Sequence, residues 1–118
     1  MSTADILRTA RALVVKGWTQ GAFARPDETD DDEVEPDDPS AVCFCMLGAV
    51  RAVAAAGDQE SAESMLEGAS ELLYPERCAQ RETHNDEESA AVLFNDHWDT
   101  GIEDVLRVFD AAIEGYSA

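Results

Sequence analysis

Basic residues are scarce in this 118-residue sequence, which has seven arginines and a single lysine, Lys16. Against these eight cations stand 26 Asp and Glu residues, so the formal net charge is −18. A field of this sign repels phosphate backbones and anionic membrane surfaces, and it argues against direct nucleic-acid or membrane binding. The expected partner is therefore a basic protein surface.

Long apolar runs and a disulfide framework are also missing. No stretch approaches the ~20 apolar residues that span a bilayer. Residues 1–5 lead directly into an amphipathic pattern, without the apolar core of a signal peptide. Three cysteines, an odd number, do not form a set of disulfides. The sequence predicts a soluble protein in a reducing, cytoplasmic setting.

Recognisable catalytic motifs are absent: there is no phosphate-binding glycine loop, no G-x-S-x-G and no H-E-x-x-H. Cys43 and Cys45 would lie ~200° apart on a helix, too far round to share one zinc ion. Buried cysteines acting as small hydrophobes explain their presence equally well. The sequence predicts a non-enzymatic protein with no metal and no cofactor. A nucleophile pair joining a cysteine to His84 or His97 stays open, because such pairs form in space.

Hydrophobic periodicity predicts an all-α domain. The first helix is expected to begin at a capping box headed by Ser2 and to end at Gly17. A segment over 41–56, capped by Ser40, is apolar nearly all round and predicts a buried central helix. Gly48 within that segment would let another helix approach closely.

Further helices are expected to start at Asp58, Asn85 and Thr100, where a capping residue precedes an apolar run. Pro75 would stop the first of these. No internal repeat and no alternating strand pattern is present. We expect a compact bundle of four to five helices around the 41–56 helix, forming a single domain over all 118 residues.

A long acidic loop is predicted over residues 18–39, which have no periodicity. The segment 27–38 contains nine acids and no base, which is half of the net charge in twelve residues. Such dense like charge cannot bury enough surface to fold alone, so a mobile loop is expected over 27–39. The length matches an EF-hand loop, but Asp32 stands where the sharp turn requires glycine, and no dedicated calcium site is predicted.

The segment 27–38 is the candidate partner-binding site. Its carboxylates, helped by the Glu-rich face of the third helix, could imitate phosphate spacing and occupy the cationic groove of a nucleic-acid-binding complex, such as a restriction or CRISPR effector. The acids of that helix face are Glu60, Glu63, Glu67 and Glu71. The alternative is a solvated loop that only confers solubility. The residues proposed to bind are Asp27, Glu28, Asp30, Asp31, Asp32, Glu33, Glu35, Asp37 and Asp38.

Three elements carry a resemblance to a known family. They are a W-T-Q-G element at 18–21, a C-x-x-G-A element at 45–49 and an F-N-D element at 94–96. In these elements the chain resembles an uncharacterised family of small bacterial and phage domains, over most of its length except the acidic segment. The resemblance implies a shared fold and a phage or mobile-element context, but no mechanism.

The same elements offer a second candidate site. Trp18, Phe94 and Phe44, which directly precedes the C-x-x-G-A element, are expected in the core. Asn95 and Asp96 are expected to hydrogen-bond the backbone entering the last helix. Together with Thr19 they could converge into a small-ligand or metal-binding pocket, whose residues would be Gln20, Asn95, Asp96 and His97. A third interpretation is that the acidity is only an adaptation to salt.

Overall fold

The computed structural model describes residues 2–27, 32–78 and 89–115. These residues form an all-α bundle, which confirms the predicted fold class, with one very short antiparallel sheet. The elements in chain order are α1 (Thr3–Lys16), β1 (Ala24–Arg25), β2 (Cys43–Phe44), α2 (Met46–Val53), α3 (Ala56–Leu73), α4 (Pro75–Cys78), α5 (Ala90–Asp96) and α6 (Ile102–Ile113).

The first helix forms as predicted. Its N-cap is Ser2, whose hydroxyl accepts a hydrogen bond from the Asp5 amide at 3.1 Å. One face is buried, and the chain leaves the helix at Gly17, whose amide donates to the Leu13 carbonyl. Gly17 has extended backbone, and a Cβ there would collide with the Val42 carbonyl oxygen. Close approach between chain segments is therefore what favours glycine here.

The predicted central helix over 41–56 is wrong at both ends. Cys43–Phe44 is extended and pairs with Ala24–Arg25, so the helix begins only at Met46, with Cys45 rather than Ser40 as its N-cap. It ends at Val53, and α3 begins three residues later. The prediction failed because pairing with a distant segment overrides the apolar pattern of residues 41–45.

Gly48 does permit a close approach, but the approaching element is not a helix. The Phe23 carbonyl lies where a Cβ at Gly48 would stand, and the amide of Cys45 donates to that carbonyl at 3.2 Å. The loop after α1 is therefore held against the first turn of α2. This contact positions Phe23 at the edge of the site described below.

Several predicted helix ends also shift. Helix α3 starts at Ala56, which places Asp58 in its first turn rather than at its cap. Helix α5 is capped by Ser89 rather than Asn85, which lies outside the described residues. Helix α6 is capped by Gly101, whose amide donates to Asp104, instead of by a Thr100 capping box.

The core lies where α1, α2, α3, α5 and α6 meet, and its largest fully buried side chains include Phe94, Phe109 and Met46. Phe44 is buried as predicted, whereas Trp18 is only partly buried and packs at the edge of the core. Leu72 and Leu73, at the end of α3, are exposed. Over the described ranges, none of the helices is both long and apolar enough to cross a membrane.

Candidate functional site

The loop after α1 meets the end of α5, and the two are joined by polar side chains. Trp18 donates from Nε1 to Asn95 Oδ1 at 2.9 Å. Gln20 donates from Nε2 to the carbonyl oxygens of Asn95 and His97, both at 2.9 Å. The Gly21 amide donates to Asp96 Oδ1 at 2.9 Å. The structure therefore brings Gln20, Asn95, Asp96 and the backbone of His97 together.

Asn95 is the centre of this network, and its side chain is 1% exposed. Its oxygen accepts from Trp18 and, at 3.3 Å, from the Met46 amide at the start of α2. Its amide nitrogen donates to the Thr19 carbonyl at 3.1 Å and to Asp96 Oδ1 at 2.9 Å. Two acceptances and two donations use the full hydrogen-bonding capacity of a carboxamide. Asn95 therefore connects three parts of the fold.

The partners of these hydrogen bonds differ from those predicted. Asn95 and Asp96 were expected to bind the backbone entering the last helix, but both bind the loop after α1. They also belong to α5 rather than to a turn, because the helix continues to Asp96 and has His97 as its C-cap. Gln20 serves the same junction by binding carbonyl oxygens that the end of the helix leaves without intrahelical donors.

A cavity of about 420 Å³ opens beside this network, between the loop after α1 and helices α2, α3 and α5. Asn95 and Asp96 line it, whereas Gln20 and His97 do not. Of the four predicted ligand-binding residues, the structure thus brings two to this cavity. The charged lining residues are Glu33, Arg51, Glu63, Glu67 and Asp96.

The charged groups of the cavity are held in defined positions. Arg51 donates to the two carboxylate oxygens of Glu63 at 3.0 and 3.4 Å, and its guanidinium lies 4.3 Å from the centre of the Phe23 ring. The hydrogen bond to Glu63 raises the pKa of Arg51. Glu67 accepts from the Ala91 amide at 3.3 Å. Four carboxylates and one guanidinium leave this cavity strongly negative.

Sequence reasoning missed Phe23 and Arg51 as site residues, whereas Glu63 and Glu67 belong to the Glu-rich helix face that was expected to support the acidic segment. One signal was available, because Arg51 is the only charged residue in the apolar stretch 41–56. Its partner Glu63 lies twelve residues away, across the break between α2 and α3. The predicted helix over 41–56 does not include the break after Val53, so the sequence offered no reason to pair Arg51 with Glu63.

The described part of the acidic segment lies against the bundle. Val34 donates its amide to the Ala24 carbonyl at 3.1 Å and packs on the core. Asp38 accepts from the amide and the hydroxyl of Ser40 at 2.8 and 2.7 Å, and these bonds lower its pKa. Its carboxylate therefore has a structural role.

The other described acids of this segment are exposed, namely Asp27, Asp32, Glu33, Glu35 and Asp37. Glu33 also lines the cavity. Glu28, Asp30 and Asp31 lie outside the described residues. The segment thus presents carboxylates beside those of α3.

The cysteines are placed differently from the prediction, because Cys45 precedes α2 instead of lying within it. Its sulfur accepts from the Gly48 amide at 3.2 Å, and burial raises the pKa of its thiol to about 11. Burial also raises the pKa of Cys78 to about 11, together with the nearby charges of Glu71 and Glu67. Thiols with such pKa values are protonated and weakly nucleophilic at neutral pH.

No metal-binding arrangement is found within the described ranges: no three Cys, His, Asp or Glu side chains group so as to hold an ion. His97 accepts the Asp99 amide on Nδ1 at 3.0 Å and stacks on Trp98, which is 85% exposed. It lines a second cavity between α4 and the loop before α6, not the one that Cys45 lines. His84 lies outside the described residues.

Comparison with known proteins places the chain but assigns it no activity. Neither the curated proteins nor the solved structures contain a match. A family model described as a family of unknown function, DUF6197, matches residues 1–115. The resemblance to an uncharacterised family is thus confirmed, and the chain belongs to the DUF6197 family of unknown function.

Proposed function

We propose that this protein is a non-enzymatic acidic interaction protein that binds a basic protein surface. The observation that supports it best is one concave surface on which the exposed carboxylate of Glu33, from the acidic segment, lies with the part-buried carboxylates of Glu63 and Glu67 from α3. Arg51 pairs with Glu63, but the chain offers few further cations, since the net charge is −18. Such a surface attracts basic partners and disfavours acidic ones.

The absence of catalysis is part of the same proposal. The thiol of Cys45 is the most reactive type of side chain at the cavity, and its raised pKa keeps it protonated at neutral pH. The carboxamide of Asn95 is fully occupied by hydrogen bonds within the fold. These two features favour a binding surface over a reactive centre.

In its finer form, the proposal is that the acidic surface imitates nucleic acid and inhibits a host nuclease or defence complex, of the restriction or CRISPR type. The spacing of carboxylates along 27–38 and the phage or mobile-element context implied by the family resemblance support this form. A mimic must compete with nucleic acid for its partner. Duplex DNA added to the complex should therefore displace the protein, and a partner that binds both at once would contradict mimicry.

The experiment uses two variants with the same change in charge. The first, Glu28→Gln with Glu35→Gln and Asp37→Asn, removes three of the nine negative charges of the acidic segment and spares Glu33 and Asp38. The matched control is Glu76→Gln with Glu103→Gln and Glu114→Gln, which alters neither the segment nor the first cavity. Immobilised protein would capture partners from a host lysate, and binding of the purified partner would then be measured at 50 and 300 mM salt.

We expect affinity to fall roughly tenfold or more with this increase in salt, because screening acts on exposed charges. The segment variant should lose most of the affinity and the control little. Binding that ignores salt, or equal losses in both variants, would contradict the proposal.

A second candidate function is the binding of a small ligand. The observation that favours it is that Asp96, from the F-N-D element, lines the 420 Å³ cavity with an exposed carboxylate. Native mass spectrometry of the purified protein, compared with the denatured chain, tests this candidate. A mass increment lost on denaturation would support it, and identical masses would leave only the protein-binding proposal.

A further inference from the structure

We propose that the cavity lined by Phe23, Arg51, Glu63 and Glu67 binds a guanidinium group, supplied by an arginine of the basic partner. The source of the group rests on the proposed function, whereas the chemistry of the cavity does not. The volume of about 420 Å³ lies within the ~300–1,000 Å³ range of small-molecule sites. The cavity is therefore large enough for the end of an arginine side chain, and the charges of its lining favour a guanidinium group.

The chain already holds one guanidinium at this place. Arg51 forms two hydrogen bonds to Glu63 while lying over the Phe23 ring, 4.3 Å from its centre. A planar guanidinium is favoured by both an aromatic face and a carboxylate pair. The same walls would suit a second guanidinium entering beside Arg51.

Charge remains available for that second group. Besides Glu63, the carboxylates of Glu33, Glu67 and Asp96 line the cavity. None of these three forms an ion pair with an arginine or lysine within the part of the chain that the structure describes. Glu67 is oriented by the Ala91 amide, so its carboxylate is fixed before a ligand arrives.

The uncharged part of the lining suits the rest of an arginine side chain. Cys45 lines the cavity and is only 5% exposed, and its sulfur accepts a hydrogen bond from the Gly48 amide. Ala91 and Val92 offer an apolar wall for the methylene stem. Guanidinium carries five donors in its planar fork, so a cavity with several carboxylates can accept more of its hydrogen bonds than a single carboxylate can.

The test uses three small probes on the full chain: N-acetyl-arginine amide, N-acetyl-lysine amide and the neutral isostere N-acetyl-citrulline amide. Binding is followed by NMR through the backbone amides of Gly21, Ala91 and Asp96. We expect saturable shifts with the arginine probe, weaker ones with lysine and none with citrulline. Shifts spread evenly over the acidic surface would overturn the proposal.

Two substitutions on α3 give a matched control. Glu67→Gln removes the charge inside the cavity and keeps an oxygen for the Ala91 amide, whereas Glu71→Gln makes the same change one turn further on, outside the cavity. Loss of a charged hydrogen bond should weaken the arginine probe about tenfold in Glu67→Gln. Glu71→Gln should stay within about twofold, because its carboxylate lies outside the cavity and an exposed charge without direct contact contributes little. Equal affinities in the two variants would refute the proposal.

The source of the guanidinium is decided by a separate arm. Free agmatine is compared with a short peptide that carries one arginine between two lysines. Tighter binding of the peptide supports an arginine of a protein partner. If agmatine binds as tightly and the salt-sensitive partner binding described above is absent, only the proposed function fails, and the cavity is a site for a free guanidinium compound.

Discussion

Trp18 and Asn95, 77 residues apart in the chain, are joined by a hydrogen bond of 2.9 Å from the indole nitrogen to the carboxamide oxygen. The same oxygen accepts the Met46 amide, so one side chain connects the loop after α1, the start of α2 and the end of α5. These three segments carry the W-T-Q-G, C-x-x-G-A and F-N-D elements of the sequence. The elements thus form one contact network in the folded chain.

Replacing Asn95 by alanine should destabilise the protein. The substitution leaves the Trp18 indole, the Met46 amide and the Thr19 carbonyl without this partner, and each buried unsatisfied group costs about 1–3 kcal/mol. We expect a loss of about 2–4 kcal/mol in the free energy of unfolding, measured by urea denaturation. The control is Asp96→Ala, at an exposed carboxylate, for which a loss of about 1 kcal/mol is expected. If Asn95→Ala unfolds like the wild type, the residue is not structural and its role as a ligand-binding group gains support.

Gly48→Ala should be severely destabilising because of a backbone contact. A Cβ at this position would overlap the Phe23 carbonyl, which cannot move without breaking its hydrogen bond from Cys45. We expect a loss of about 3 kcal/mol, at the upper end of overpacking costs. Gly57 in α3 is the matched control, because a Cβ there meets nothing within 4 Å. Gly57→Ala should stabilise the helix by about 0.5 kcal/mol. Equal effects at the two glycines in urea denaturation would contradict this geometry.

The sequence predicted the fold class because the apolar stripes of α1 and α6 are local signals. The helix prediction failed at residues 41–45, because pairing with Ala24–Arg25 holds Cys43–Phe44 in an extended conformation. No local sequence pattern indicates that pairing. The prediction also missed Cys45 and Gly101 as caps, since Ser40 and Thr100 are stronger capping residues by intrinsic preference.

The candidate site was only partly predictable from the sequence. The W-T-Q-G and F-N-D elements suggested that Gln20 and Asn95 lie close together, and the Gln20 side chain does bind the Asn95 carbonyl. The cavity beside it depends on the break after Val53, which lets Arg51 reach Glu63 on the next helix. That arrangement is set by tertiary packing, and the one sequence feature that indicated it was the isolated charge of Arg51 in an apolar stretch.

Stability should fall in mildly alkaline solution because of the buried thiol of Cys45. Its pKa rises from the usual 9.0 to about 11 in the folded protein, so the native state favours the protonated form. The raised pKa therefore stabilises the native state fully below pH 9, and this stabilisation is lost as the pH rises toward 11. Cys45→Ser keeps a capping oxygen at the start of α2 and should show a smaller decrease in unfolding free energy between pH 8 and 10.5 than the wild type. Cys78→Ser tests in the same way the contribution of the other thiol whose pKa is raised. Identical pH profiles in the wild type and in Cys45→Ser would show that the thiol does not titrate with folding.

Added salt should stabilise the fold at neutral pH, because the ion pairs of the described residues use few of the carboxylates. Arg11, Arg51 and Arg77 pair with acids on other segments, but the chain carries 26 acids in all. Screening of the remaining repulsion, as the Debye length shortens from about 30 Å at 0.01 M to about 8 Å at 0.15 M, should add on the order of 1 kcal/mol to the unfolding free energy. Thermal unfolding in sodium and in potassium chloride should give the same increment, since screening does not depend on the cation. A chain that folds cooperatively only in molar salt would support the salt-adaptation interpretation instead, and a gain specific to one cation would indicate a bound ion.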